Sequence, residues 1–224
     1  MTVDIGGNLK AFLDDRDPGA RYASFDYCFN HFQAARESGN LARLGEGDGL
    51  LLSCLQLGFY LASWGMMRGS GDLLQRSMRR LIPVVETIIG EPGATWTLDA
   101  HSYSSESGDV LELSKRIRTA FKDGARDPNV GVSDTLVTKT MLGVFGCVPA
   151  FDRYFRIGFR CETLCKSALV RIGKFYADNR SEIDAQNVFT LDFASGHDTQ
   201  RCYSRAKIID MIFFQEGLQA SIYH

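Results

Sequence analysis

The sequence predicts a mostly α-helical fold. Apolar residues recur at helical spacing far more often than they alternate as they would in strands. With 224 residues, of which 45% are hydrophobic, the chain is long enough to bury a core. We therefore expect one compact helical domain over residues 1–224. The pattern is also compatible with two lobes around a cleft, at about 1–108 and 109–198, with a C-terminal helix over 199–217 that packs back onto them.

The first half contains two clear helical patterns. Phe25, Phe29 and Phe32 follow one another at i, i+4 and i+7, which predicts one aromatic face on a helix over residues 22–37. Residues 50–67 form the longest run without a charged side chain. Small and polar residues interrupt this run, which favours a buried central helix over a membrane span.

The chain then breaks at glycines before a third helix begins near Asp72. Pro83 should kink or end this helix, because proline donates no hydrogen bond to the preceding turn. Residues 90–108 read as a long polar loop with a strand-like segment at 94–98. Asp109 should then cap a basic helix that runs to about Lys122.

In the second half, a helix is expected over residues 133–145. The helical pattern after Asp152 continues to about residue 178, and Cys161 and Cys165 should then share one helix. A polar turn at 194–198 precedes the final helix. The apolar face of that helix comprises Ile208, Ile209, Ile212 and Phe213.

Charge is distributed unevenly along the chain. The formal net charge is −2, but residues 1–112 carry 9 basic and 15 acidic side chains, whereas residues 113–224 carry 16 basic and 12 acidic ones. In the basic half, arginines follow Asp152 at helical spacing. They could meet phosphates beside this carboxylate, or they could belong to a solvated helix face.

The most informative segment runs from Pro128 through Asp152. Pro128-Asn129-Val130-Gly131 reads as a tight turn that opens onto the helix over 133–145, and backbone N–H groups at such a turn can bind phosphate. Val148-Pro149-Ala150-Phe151-Asp152 then delivers one carboxylate to the start of the next helix. Asp152 is either a catalyst beside the phosphate site or simply a helix N-cap.

Over about residues 126–160, this order resembles that of the helix-hairpin-helix DNA glycosylases. Their signature is a Pro-Gly-x-Gly hairpin, a helix, and an aspartate after a short loop that contains proline. Asn129 departs from the first hairpin glycine, and Ser133-Asp134 stands where bifunctional members carry their Schiff-base lysine. The four-cysteine iron–sulfur loop of some members is absent. The resemblance therefore implies a monofunctional enzyme with two helical lobes and no metal or other cofactor.

The resemblance also implies roles for individual residues. Asp152 would stabilise the positive charge that develops on the deoxyribose. Lys139, two turns into the helix over 133–145, could neutralise a phosphate or approach the cleft, or it could be an ordinary surface lysine. A flipped base needs an aromatic pocket and a polar reader. The expected residues are Asp152 and Lys139 for catalysis; Asn129, Val130, Gly131, Ser133, Arg153 and Arg156 for DNA binding; and Asp26, Tyr27, Asn30, Trp64 and Arg68 for the base pocket.

Other functions lack their usual motifs. No second Cys/His pair completes a zinc site with Cys161 and Cys165, and no nucleophile elbow or P-loop occurs. No arginine precedes a histidine at the spacing of helical RNase toxins. A non-enzymatic helical domain that binds nucleic acid or protein remains the alternative.

The composition also predicts where the protein acts. Six cysteines without disulfide-like spacing, and no signal segment, predict a cytoplasmic protein without a membrane span. The expected partner is duplex DNA with a flipped base. The base is a damaged one or, in antiviral defence, a hypermodified base of phage DNA.

Overall fold

The computed structural model describes residues 3–68, 73–125 and 131–222. Most of these residues lie in α-helices, which confirms the predicted mostly helical class. The helices are α1 Ile5–Asp14, α2 Ser24–Glu37, α3 Gly47–Ser63, α4 Ile82–Ile89, α5 Tyr103–Asp123, α6 Asp134–Phe145, α7 Arg153–Phe159, α8 Lys166–Asp178, α9 Arg180–Asp184 and α10 Arg205–Ile222. Two short antiparallel strands, β1 Phe189–Leu191 and β2 Asp198–Cys202, form the one sheet of the described residues.

The predicted apolar faces of α2 and α10 are confirmed. The three phenylalanines of α2 are at most 5% exposed, and the four predicted residues of α10 at most 2%. They belong to one continuous cluster of buried residues drawn from both halves of the chain. The division into two lobes stays a prediction.

Several element boundaries in the first half differ from the prediction. Residues 94–98 are not strand-like, because Gly93–Thr97 forms a 3₁₀ helix. The basic helix α5 begins at Tyr103, so Asp109 lies inside it and is not its cap. Much of the expected loop is therefore helical, and Tyr103 itself is buried in the core.

The predicted long helix after Asp152 is broken in two. Helix α7 ends at Phe159, and the φ of 53° at the next residue, Arg160, is left-handed, a conformation that usually favours glycine. Cys161 and Cys165 therefore lie between α7 and α8 and do not share a helix. All six cysteines are free thiols.

The expected C-terminal helix over 199–217 begins later than predicted. Its first residues form β2, and α10 starts only at Arg205. The carboxylate of Asp99 fixes this start, because it accepts the backbone N–H groups of Arg205 and Ala206 at 3.0 and 2.7 Å. A distant acidic side chain therefore caps α10.

Helix α3 is less buried than its composition predicts. Leu51, Leu52, Leu55 and Phe59 are between 46% and 66% exposed, so they form an apolar row on the surface. No helix in the described ranges is long and apolar enough to cross a membrane.

Helices α7 and α10 cross at two glycines, and this contact helps to position the site described below. A Cβ atom on Gly158 would collide with the backbone oxygen of Phe213, and one on Gly217 with that of Tyr154. The two backbones can therefore touch directly.

Candidate active site

A cavity of about 520 Å³ opens where the C-terminal end of α3 meets α6, α7 and α10. Seven residues singled out from the sequence line it. They are Trp64, Arg68, Ser133, Lys139, Asp152, Arg153 and Arg156. Residues from the catalytic, DNA-binding and base-pocket sets therefore meet at one place in the fold.

An ion pair between Lys139 and Asp152 forms part of the cavity wall. Lys139 Nζ donates to Asp152 Oδ2 at 2.8 Å, and the two side chains are only 4% and 13% exposed. The other carboxylate oxygen, Oδ1, accepts the backbone N–H of Phe155 at 3.0 Å, so Asp152 also caps α7. The N-cap interpretation of Asp152 is therefore confirmed, and its catalytic role stays a prediction.

Side chains hold the loop that carries Asp152. Helix α6 ends at Gly146, whose left-handed φ of 66° turns the chain into the buried segment 147–151. The Phe151 N–H donates to Thr138 Oγ1 at 2.8 Å, and Thr135 Oγ1 donates to the Phe151 oxygen at 2.9 Å. Because both threonines lie on α6 with Lys139, they fix the distance between Lys139 and Asp152.

A second buried Lys–Asp pair supports the same loop from α10. Asp210 Oδ1 accepts the Ala150 N–H at 2.9 Å, and Asp210 Oδ2 accepts a hydrogen bond from Lys207 Nζ at 3.0 Å. Lys207 and Asp210 are both buried. A buried pair of this kind is a specific constraint, because loss of either partner leaves an uncompensated charge.

Trp64 provides an aromatic surface at the cavity. Its ring centroid lies 4.7 Å from Lys139 Nζ, within the range of a cation–π contact. The ring packs edge-to-face against Tyr22 and Phe214, with centroids 5.3 and 5.7 Å apart. Its indole N–H is buried and has no hydrogen-bond acceptor among the described residues.

Three of the predicted base-pocket residues do not line this cavity. Asp26 is buried against Tyr203, whose hydroxyl donates to its Oδ1, and lies 3.7 Å from Arg16. The hydroxyl of Tyr27 donates to the Pro18 carbonyl oxygen at 2.7 Å. Asn30 Nδ2 donates to the Leu191 oxygen at 2.9 Å and so connects α2 to β1.

Burial also changes the acidity of Asp26. Removal from water raises the pKa of this carboxyl from 3.8 to about 6, although the hydrogen bond from Tyr203 and the charge of Arg16 oppose the rise. Asp26 belongs to the contact between α2 and the segment after β2, and it does not line the cavity.

The predicted phosphate turn is described only at its last residue. Asn129 and Val130 lie outside the described residues. At Gly131 the φ is not left-handed, and an added Cβ atom would meet nothing within 4 Å. The described geometry at Gly131 therefore does not itself require glycine.

The position expected for a Schiff-base lysine holds two oxygen-bearing side chains. The Ser133 hydroxyl accepts the Leu136 N–H at 3.2 Å and caps α6. The Asp134 carboxylate binds Arg118 and accepts the Leu164 N–H at 3.0 Å, and it does not line the cavity.

Sequence reasoning missed the other residues of the lining, among them Arg21, Tyr154 and Phe214. Tyr154 directly follows Arg153, so its position after Asp152 could have indicated it. Arg21 and Phe214 lack a local signal, because packing between distant helices brings them to the cavity.

Among the described residues, no group of three or more His, Cys, Asp or Glu side chains is arranged to hold a metal ion. In comparisons with known proteins, no family model, no curated protein and no solved structure matches the chain.

Proposed function

We propose that the protein is a monofunctional DNA glycosylase that hydrolyses the N-glycosidic bond of a base flipped out of DNA. The observation that carries the proposal is the Lys139–Asp152 pair, which lies in the wall of a cavity with an aromatic surface and an excess of cations. The helix-loop-helix order of the segment from 133 to 159 is consistent with the resemblance to helix-hairpin-helix glycosylases.

The reaction requires a negative charge beside the sugar. As the bond between C1′ and the base breaks, the base leaves with the bonding electrons and the deoxyribose acquires positive charge. Asp152 stabilises this charge and orients water. Water adds its oxygen to C1′ and loses a proton, the base gains one, and the products are a free base and an abasic site.

Lys139 contributes position and charge in this mechanism. Its ammonium holds Asp152 Oδ2 at 2.8 Å, so the carboxylate cannot rotate away from the cavity. Trp64 and Tyr154 line the same space and can stack on an extruded base. Arg153 and Arg156 lie where they can contact the phosphates beside it.

The test is a mass-spectrometric screen for free bases. The wild-type chain is incubated with DNAs that contain oxidised, alkylated, deaminated or mismatched bases, and with phage genomes that carry hypermodified bases. We expect the wild-type chain to release free base from one of these classes of DNA, and Asp152→Asn to release none. Absence of release from every DNA, or equal release by Asp152→Asn, would contradict the proposal.

A second candidate is a non-enzymatic helical interaction domain. The exposed apolar row Leu51, Leu52, Leu55 and Phe59 on α3 favours it, because contiguous apolar surface often marks a binding face. Such a protein would release no base from any DNA. Substitution of Phe59 by Ser would then reduce partner binding, whereas Asp152→Asn would not.

A further inference from the structure

The charges that line the cavity are strongly unbalanced. Five lining residues are cationic and only one, Asp152, is anionic, and Asp152 is already paired with Lys139. Four guanidinium groups remain, and none of them has a carboxylate within salt-bridge distance among the described residues. They belong to Arg21, Arg68, Arg153 and Arg156.

Arginines in other parts of the described structure are commonly paired. Arg116 binds Glu91 through two hydrogen bonds of 2.6 and 2.7 Å, and Arg205 lies 3.2 Å from Asp184. Four unpaired guanidinium groups around one cavity create a local positive potential, which attracts an anionic ligand.

Arg21 is held in place by aromatic rings. Its guanidinium carbon lies 5.2 Å from the centroid of Tyr22 and 5.5 Å from that of Trp64. In this arrangement the rings contact the cation while its N–H groups stay available to a ligand.

Two buried hydrogen-bond donors of the cavity lining also lack acceptors. Arg156 Nε and Trp64 Nε1 are both shielded from solvent and have no hydrogen-bond partner in the described part of the chain. Buried polar groups are normally satisfied, so these two donors are exceptions at the wall of the cavity.

We propose that the cavity binds a phosphate group through Arg21, Arg68 and Arg153, beside the Lys139–Asp152 pair. A guanidinium group presents parallel N–H donors that match two phosphate oxygens. Because Trp64 and Tyr154 supply aromatic surface in the same cavity, the phosphate is that of a nucleotide unit in a DNA strand. The inference deepens the proposed function and rests on it for the identity of the strand, but phosphate binding itself does not require base release.

The test uses Trp64 as the reporter. The chain has two tryptophans, so Trp96→Phe leaves Trp64 as the single emitter. Inorganic phosphate and a short oligothymidylate are titrated separately at constant ionic strength, and fluorescence is recorded. If Trp96→Phe does not fold, calorimetric titration of the wild-type chain provides the dissociation constants of both probes.

Arg21→Gln and Arg153→Gln each remove one cation, and Arg43→Gln is the matched control. Arg43 is exposed and lies outside this cavity. We expect each cavity substitution to weaken oligothymidylate binding about tenfold, the effect of one charge-assisted hydrogen bond, and the control to change it little. If both probes bind, the site accepts free phosphate as well as a strand. If only the oligonucleotide binds, the ligand of the site is a phosphodiester within a strand.

Two results would overturn the inference. One is absence of binding to both probes, and the other is an equal loss with Arg43→Gln, which would indicate unspecific attraction. Phosphate binding with the expected losses, but without release of any base, would instead refute the glycosylase proposal alone.

Discussion

The Lys139–Asp152 pair leads to a quantitative prediction about stability. Both side chains are nearly buried, so removal of one partner leaves a charge without compensation. Loss of one partner from a buried pair typically costs about 3–5 kcal/mol. We expect Asp152→Asn to lower the free energy of unfolding by about 3 kcal/mol, the low end of this range, because asparagine still caps α7 and offers Lys139 an amide oxygen.

Lys139→Met should cost a similar amount, because it leaves the Asp152 carboxylate unpaired. The double variant removes both charges together. Its loss should be smaller than the sum of the two single losses, with a coupling free energy of about 1–3 kcal/mol.

The assay is urea unfolding followed by far-ultraviolet circular dichroism. The matched control is the Lys174–Asp178 pair on α8, which has a similar length of 2.9 Å but side chains that are 74% and 56% exposed. Asp178→Asn should therefore cost no more than about 0.5 kcal/mol. In parallel, Asp152→Asn should release no base under single-turnover conditions.

Additive losses in the cycle would show that the two residues do not act as a pair. A loss in Asp178→Asn equal to that in Asp152→Asn would show that burial is not the cause. Base release by Asp152→Asn at the wild-type rate would remove Asp152 from the mechanism.

Three further predictions concern other parts of the molecule. Because burial raises the pKa of Asp26 from 3.8 to about 6, the folded state retains a proton that the unfolded state has lost between these values. Its contribution to stability should therefore fall by roughly 3 kcal/mol in total as the pH rises from well below 3.8 to well above 6. Asp26→Asn should lack this component in urea unfolding across that range, and an unchanged pH dependence would contradict the assignment. DNA affinity, measured by fluorescence anisotropy, should fall steeply with added salt, and Arg153→Gln should reduce the slope by about 1; salt-independent affinity would argue against phosphate contacts. Borohydride added during turnover should trap no covalent adduct, and strands should break only after alkali; an adduct that disappears in Lys139→Ala would make Lys139 a Schiff-base nucleophile.

The elements around the cavity were the most predictable from sequence. Ser133 and Asp152 are N-caps, and each stands directly before a helix. These local signals fix the start of α6 and of α7, but they do not place Lys139 against Asp152. Their contact distance depends on Thr135 and Thr138, whose hydrogen bonds to Phe151 no periodicity reveals.

The contacts of β1, β2 and Tyr203 with α2 explain why Asp26 and Asn30 do not line the cavity. The sequence assigns residues 199–217 to a helix, so no strand was expected that could accept the polar side chains of α2. In the structure, Asp26 accepts a hydrogen bond from Tyr203, and Asn30 donates one to the Leu191 oxygen. Arg160 was missed for a related reason, because left-handed backbone at arginine has no composition signal.

The crossing of α7 and α10 has a consequence for how the protein is made. Helix α7 has seven residues, too few to be stable without a partner, and its backbone rests on α10 at Gly158 and Gly217. Asp152 is thus in place only when residues more than fifty positions later in the chain have been added. During synthesis on the ribosome, the nascent chain would carry Asp152 and Lys139 long before they are aligned, so any activity that needs both would be absent until α10 has emerged.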